Sequence, residues 1–383
     1  MKLSTDDTYR SDKYRWKKSD EGVWSMALHG RIVALHQDPE NLYYRSFFPK
    51  GKEPGKDEDD TLPLLKHYLN LTPNLTQLYA EWSAADANFK KKAPKFTGVR
   101  ILKQDAWEAL VGFICSSNNN IIRISQMIDK LCKNYGPLLG TMDDLPYHDF
   151  PTPADLATSG VEQKLRELGF GYRAKYIYKT ACMIAEKEEG WLDGLRNPES
   201  PILGVKPESG GDFVPEGREG YRSAHEELLA LQGVGPKVAD CVCLMGLGWG
   251  EAVPVDTHVW QIAQRDYKFG RGKHSSLTKA TYDAVGNKFR SLWGKEAGWA
   301  HSVLFTADLK AFSERLVAKT ETKEEADVVV KAEVDGQAEI ETVETDTKVL
   351  VKQVKREAED EEKTLTEIQE NVVKKNKRRK KSY

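Results

Sequence analysis

The hydrophobic pattern changes register twice along the 383 residues. VWSMALHGRIVALHQ (Val23 to Gln37) and NLYYRSFF (Asn41 to Phe48) alternate in places and are broken at Gly30 and at Asp38-Pro39. This pattern predicts antiparallel strands. Helical spacing takes over at Leu62 to Leu69 and Leu75 to Trp82, and from about Gly98 it dominates. It predicts helices over Trp107 to Ser116, Ile121 to Tyr135, Val161 to Leu168 and Ala174 to Glu188. Residues 193–219 are rich in Gly, Pro and charge and read as a surface insertion. From about Lys319 no aromatic precedes the final Tyr383, and such a composition cannot offset the entropy of ordering. The fold class expected is therefore α+β. An N-terminal antiparallel β-sheet domain with helices (1–98) precedes a mostly helical domain (99–318), and a disordered tail follows (319–383).

The densest pattern is LLALQGVGPKVADCVCLMGLGWGEAVPVDTHVW, Leu228 to Trp260. Ala224, Leu228 and Leu231 fall at helical spacing. Gly233 suits a helix C-terminus needing positive φ, Val234 sits in the turn, and Gly235 leaves it clear. Pro236 suits the first position of a second helix, whose buried face is Val238, Ala239, Val242, Leu244 and Met245. A helix, a Gly-Val-Gly hairpin and a second helix present free backbone N–H groups that bind a phosphate without reading bases. Gly-x-Gly alone is equally an ordinary αα turn. Nineteen residues after Lys237 comes Asp256, an N-cap candidate before Val259, Ile262 and Ala263, where a helix end favours negative charge.

Composition narrows the picture. No run of 18 apolar residues exists, so no membrane partner is expected, and the N-terminus lacks an apolar signal region. The five cysteines, Cys115, Cys132, Cys182, Cys241 and Cys243, lack metal-ligand spacing and read as reduced thiols. The net charge of −2 hides a strong asymmetry. Residues 321–370 carry 17 acidic and 7 basic side chains, while residues 371–383 carry 7 basic and no acidic ones. Residues 1–320 are left with 43 basic and 42 acidic, so nucleic-acid binding must rest on a local patch and backbone amides. KKNKRRKK, Lys374 to Lys381, reads as a nuclear import signal, a nucleic-acid tether or a solubilising tail.

The hairpin segment resembles the helix-hairpin-helix DNA glycosylase superfamily, and within it the eukaryotic 8-oxoguanine DNA glycosylases. FICSSNNNIIRI (Phe113 to Ile124), LGFGYRAKYI (Leu168 to Ile177) and FRSLWGKEAGWAHSVLFTADL (Phe289 to Leu309) resemble that family's blocks in its chain order. The resemblance runs from about Tyr14 to Leu309. It lacks the four-cysteine iron–sulfur loop of other branches. It implies a monomeric bifunctional glycosylase and AP lyase of base excision repair, acting on damaged double-stranded DNA with no cofactor and no metal. The expected location is the nucleus, with the mitochondrion as an alternative and an import receptor as partner of Lys374 to Lys381.

The chemistry fits the residue types. Cutting an N-glycosidic bond builds positive charge on the sugar. A lysine amine can attack C1′ and later form a Schiff base that permits β-elimination. A free lysine titrates near ~10.4, so the attacking amine must first lose its proton. Lys237 is the expected nucleophile and Asp256 the carboxylate that stabilises the cationic sugar. The plainer reading of Lys237 is a phosphate contact, and that of Asp256 a helix cap. The target base must leave the stack. The resemblance assigns the damaged-base pocket to Phe305, Cys241, His301, Pro254, Met245 and His258. It assigns Asn118, Arg123, Tyr172 and Arg173 to the vacated stack and the orphaned cytosine. Asn and Arg can hydrogen-bond a cytosine edge, and Tyr can wedge between bases.

Two departures stand out. His301 occupies a place where the family usually carries glutamine, which predicts a pH-dependent base contact. Ser11 takes the place of a glycine whose carbonyl reads the lesion, shortly before Tyr14-Arg15-Trp16. The expectation is weakened lesion discrimination or a missing first strand. Two other functions remain open at this point: a glycosylase for another damaged base, and a non-catalytic helix-hairpin-helix DNA-binding protein.

Overall fold

The computed structural model describes residues 15–308, apart from residues 39, 56–57, 94–95 and 271–275. Ser11 and the acidic and basic tail lie outside the described residues. The N-terminal sheet has the order β1-β2-β3-β4, all antiparallel, from β1 (Lys17–Lys18), β2 (Trp24–Leu28), β3 (Arg31–Gln37) and β4 (Leu42–Phe47). Gly30 closes the β2–β3 turn at φ 77°, next to His29 at φ 45°. Alternation then sorts the faces. Met26, Leu28, Val33 and Leu35 pack with Leu64, Leu65 and Tyr68 of helix α1 (Thr61–Tyr68). Ala27 and Ile32 point the other way and meet Tyr147.

That second cover was not legible in the sequence. Leu138–Met142 and Leu145–His148 form a hairpin, β5 and β6, whose turn residues Asp143 and Asp144 both have positive φ, the geometry of a tight hairpin turn. The Ser25 hydroxyl shares a 2.6 Å hydrogen bond with the Tyr147 hydroxyl. Arg15 adds a buried tie, donating at 2.5 Å to Glu108 and at 3.3 Å to Asp149. A short helix, α3 (Ala87–Lys92), was also not anticipated; it follows α2 (Leu75–Ala85) and is capped by Asp86.

The helices expected beyond residue 98 are present. They are α4 (Ala106–Ser116), α5 (Ile121–Tyr135), α7 (Val161–Glu167) and α8 (Arg173–Ala185); two short helices, α6 (Pro153–Leu156) and α9 (Trp191–Gly194), were not anticipated. After the insertion come α10 (Glu219–Leu229), α11 (Pro236–Met245), α12 (Thr257–Tyr267), α13 (Lys279–Trp293) and α14 (Ala297–Asp308). The helix at 173 ends at Ala185, three residues short of the sequence expectation. Residues 195–218 are irregular, as their composition predicts, but their end is anchored. The Arg218 guanidinium, 1% exposed, reaches Glu251 through Nε at 2.8 Å and through a terminal nitrogen at 2.7 Å. Its other terminal nitrogen lies 2.8 Å from Glu199, which also pairs with Lys295 at 2.7 Å.

Breaking such a pair strands a buried charge. Arg218→Met should lower unfolding free energy by about 3–5 kcal/mol, whereas Arg218→Met combined with Glu251→Leu should recover most of it. Urea midpoints measure both, and an unaffected single variant would show that Glu251 is solvated from elsewhere.

Candidate active site

The hairpin forms as its glycines require. Gly233 sits at φ 77°, and a Cβ there would fall within 2.5–2.7 Å of the Tyr176 ring, so both conformation and space exclude a side chain. Thr180 Oγ1 donates at 2.8 Å to the Gln232 carbonyl, satisfying a group the turn leaves free. Val234 is buried, Gly235 is the N-cap of α11, and Pro236 takes its first position. The free amides of α11's first turn therefore face outward beside Lys237, which is half-buried.

The Lys237 Nζ lies 5.3 Å from the centroid of the Phe113 ring of α4, a cation–π contact. One turn along α11 is Cys241. Burial pushes its thiol up to about 11, the Lys237 charge opposes that rise, and the Asp240 and Asp256 carboxylates add to it. Cys241 is thus a neutral thiol at physiological pH, and Lys237 and Asp256 both lie within electrostatic reach of it. Asp256 is the N-cap of α12, its carboxylate accepting from the Val259 N–H at 2.9 Å. The helix-cap reading of Asp256 holds, and it fixes where the carboxylate stands.

The residues expected to line the pocket lie on α11, on the segment leading into α12, on α12 and on α14. Pro254 and Met245 are buried, and Phe305 is half-buried on α14. The His258 ring meets Phe305 edge-on at 5.1 Å, and its Nε2 lies 3.2 Å from an Asp308 oxygen. Asp308 is held in turn by Arg265 at 2.6 Å. His301, 3% exposed, stacks on Phe289 at 6.1 Å and 28° and lies 6.3 Å from Phe305. Among the described residues neither ring nitrogen has a partner within hydrogen-bond geometry, the Gly298 carbonyl one turn back being close enough only to favour the charged ring. Two unmet nitrogens on one buried ring leave a donor and an acceptor for an incoming polar edge. The cavity of about 290 Å³ beneath α4, walled by Arg15, Glu108, Asp149 and Phe113, is lined by neither Lys237 nor Asp256 and is a separate space.

The second group lies at the α4–α5 and α7–α8 corners. Asn118 is exposed, in the left-handed region at φ 48°. The Tyr172 hydroxyl donates at 3.1 Å to the Ser117 carbonyl, yet Tyr172 remains 47% exposed. Arg123 is exposed and donates to the Gly169 carbonyl at 3.2 Å. Arg173 differs: it is 3% exposed and its guanidinium holds the Ser117 and Asn118 carbonyls, the latter at 2.9 Å. In this structure it braces the turn that presents Asn118. Sequence reasoning missed Phe113 and Asp308 as site residues. Phe113 lies in a helix buried on all sides, where nothing distinguishes a lysine's partner from core. Asp308 is recognisable only through its contact with His258.

A helix-hairpin-helix with a lysine at the second helix and a capping aspartate at the next defines a base-excision DNA glycosylase. Residues 8–110 match the 8-oxoguanine DNA glycosylase N-terminal domain, and residues 111–288 match the HhH-GPD superfamily of base excision DNA repair proteins. The N-glycosylase/DNA lyase of Saccharomyces cerevisiae is 37% identical over 319 residues, 79% of this chain and 80% of that protein. The Arabidopsis thaliana N-glycosylase/DNA lyase OGG1 is 36% identical over 306 residues, 78% of this chain and 75% of that protein. The 8-oxoguanine glycosylase/lyase of Clostridium acetobutylicum, solved with DNA carrying cytosine opposite 8-oxoguanine, shares the fold. Its TM-score is 0.63 at 24% identity, covering 79% of this chain and 91% of that one. The chain belongs to the N-glycosylase/DNA lyase family, with the 8-oxoguanine DNA glycosylase N-terminal domain. It is a bifunctional DNA glycosylase and lyase of base excision repair.

The expected pH-dependent base contact at His301 is corrected by burial, which holds its pKa down at about 4 despite the pull of Asp256. The ring is therefore neutral at neutral pH. Between about 4 and the unfolded value near ~6.5 the unfolded chain binds more protons, so stability is lost as pH falls through that window. His301→Gln should shrink the drop in thermal midpoint between pH 7 and pH 5. Identical pH dependence in variant and parent would place the titration elsewhere.

Proposed function

We propose that this chain removes 8-oxoguanine opposite cytosine from duplex DNA and nicks the strand through a Schiff base on Lys237. The hairpin amides of Gly233, Val234 and Gly235 hold a backbone phosphate. The damaged base turns out of the stack into the pocket of Phe305, Cys241, Met245, Pro254, His258 and His301. Asn118 and Tyr172 fill the gap, Arg123 faces the cytosine, and Arg173 holds the turn that presents Asn118. Lys237 Nζ, deprotonated, forms a bond to C1′ as the C1′–N9 bond breaks and the base leaves with the bond pair. Asp256 stabilises the positive charge on the sugar. Ring opening gives the iminium, loss of the C2′ proton expels the 3′ phosphate, and hydrolysis frees Lys237. The carrying observation is that Lys237 and Asp256 stand at the starts of successive helices, Lys237 half-buried against the Phe113 ring and Asp256 fixed as the N-cap of α12.

Borohydride reduction on an 8-oxoguanine:cytosine duplex should trap a covalent adduct that Lys237→Gln abolishes. Asp256→Asn should slow excision on the order of 10²-fold, a size typical of removing one preorganised charge. An adduct that survives Lys237→Gln would assign the nucleophile elsewhere. A guanine:cytosine duplex run alongside tests the weakened discrimination proposed from Ser11: selectivity equal to that of the yeast relative would refute it.

We further propose that the enzyme acts as a monomer and enters the nucleus through an import receptor recognising Lys374 to Lys381. The eight-residue basic run supports that reading. A fluorescent fusion with those basic residues changed to alanine should lose nuclear accumulation; unchanged accumulation would rule the signal out.

A further inference from the structure

Lys237 and Asp256 sit at the N-termini of α11 and α12, joined by an intervening stretch whose length alone does not fix their separation. A second connection runs outside that stretch. Asp240, 1% exposed, lies one turn after Lys237 on α11. One of its oxygens accepts from the Tyr221 hydroxyl of α10 at 2.5 Å, and the His225 ring lies 3.7 Å from the same oxygen. Its other oxygen accepts from the Tyr282 hydroxyl of α13. That hydroxyl also accepts, at 3.3 Å, from the N–H of Val255, the residue before Asp256.

We propose that Tyr282 is a positioning residue for the glycosylase reaction. Its hydroxyl ties the helix of Lys237 to the backbone that carries Asp256, and so sets the distance between nucleophile and carboxylate. The inference rests on the Lys237–Asp256 reading given above. Three features carry it. The hydroxyl's donor and acceptor functions are both engaged, so its orientation is fixed. Its acceptor is a buried carboxylate, which makes the bond charge-assisted and strong. Its donor partner is the N–H of a residue 1% exposed, a group that would otherwise need another partner in the core. Tyr221 serves as the internal contrast: it donates to the same carboxylate but does not touch the Asp256 segment.

Catalytic groups must be held within about 0.5 Å of productive geometry, and a misplacement of ~1 Å costs on the order of 10²-fold in rate. Partial slackening on loss of one hydroxyl should therefore cost about tenfold. The test uses the full chain with enzyme in excess over an 8-oxoguanine:cytosine duplex, reading the first-order excision rate, the duplex Kd and the borohydride-trapped fraction. Tyr282→Phe should lower the rate about tenfold with Kd within twofold. Tyr221→Phe should leave the rate within twofold, although both variants lose a bond to the same buried carboxylate. A purely structural role would lower the trapped fraction in both variants and leave the rate of the surviving enzyme unchanged. An unchanged rate in Tyr282→Phe, or an equal fall in both variants, overturns the proposal. Lys237→Gln in the same series keeps the two claims apart. If it still traps DNA, the reading of Lys237 fails; if trapping is lost, the tyrosine results judge the tie alone.

Discussion

The close approach of α11 to α4 is the constraint on which the site depends. At the C-terminal end of α11, Gly246 leaves little room for a side chain. A Cβ there would lie 3.1 Å from the Ala106 Cα, 3.1 Å from the Ala109 Cβ and 3.0 Å from the Val242 carbonyl. Small residues on both helices thus set their spacing, and close-packed interiors do not relax such a spacing cheaply. The consequence appears at the other end of the pair. With the helices this near, Phe113 of α4 comes beneath Lys237 of α11. Two turns of α11 then carry Lys237, Cys241 and Met245 along one wall, and α4 runs directly into the Ser117–Asn118 turn.

A second helix binds the DNA-reading corner to the hairpin. α8 begins with Arg173, which holds the carbonyls of Ser117 and Asn118. One turn further, Tyr176 fills the space above Gly233, and a further turn on, Thr180 caps the Gln232 carbonyl. The Tyr172 ring packs edge-on against Tyr176 at 5.7 Å. The turn proposed to fill the DNA stack and the hairpin proposed to hold its backbone are therefore both fastened to one helix. Flipping a base requires that wedge and phosphate grip act at a fixed offset, which a single helix supplies more precisely than two loops.

Much of this was legible because it is local. Alternation with Gly30 gave the β2–β3 hairpin, and glycine, proline and apolar spacing gave the two hairpin helices. An aspartate set before the helical spacing of Val259, Ile262 and Ala263 gave the cap at Asp256. What escaped was long-range or compositionally bland. Residues 138–148 carry little apolar periodicity and become strands because Ile32 and Ala27 offer Tyr147 a surface. Lys90 to Lys92 mask a helix whose single buried anchor is Phe89. Arg173 reads as a base contact from its neighbours, but only its burial reveals that it also braces a turn. The burial of His301, which removes its expected titration, depends on Phe289, twelve residues away and on another helix.

Local charge explains how a core with 43 basic and 42 acidic residues in its first 320 positions can face a polyanion. Four carboxylates of the helical domain are withdrawn from the surface or paired. Asp240 and Glu251 are 1% and 0% exposed, the first bound by tyrosine hydroxyls and the second by Arg218. Asp266 is paired with Lys92 at 2.6 Å and with Arg265 at 2.8 Å, and Asp308 with Arg265 and His258. Asp256 is spent partly on its own helix end. What remains to meet DNA is the first turn of α11 with half-buried Lys237 and, at the α4–α5 corner, exposed Arg123. Screening confines charge interactions to roughly 8 Å at physiological salt, so this local balance, and not the sum over the chain, is what a phosphate meets. The same arrangement leaves Asp256, at the start of α12, as the carboxylate proposed to meet positive charge built on the sugar where the base departs.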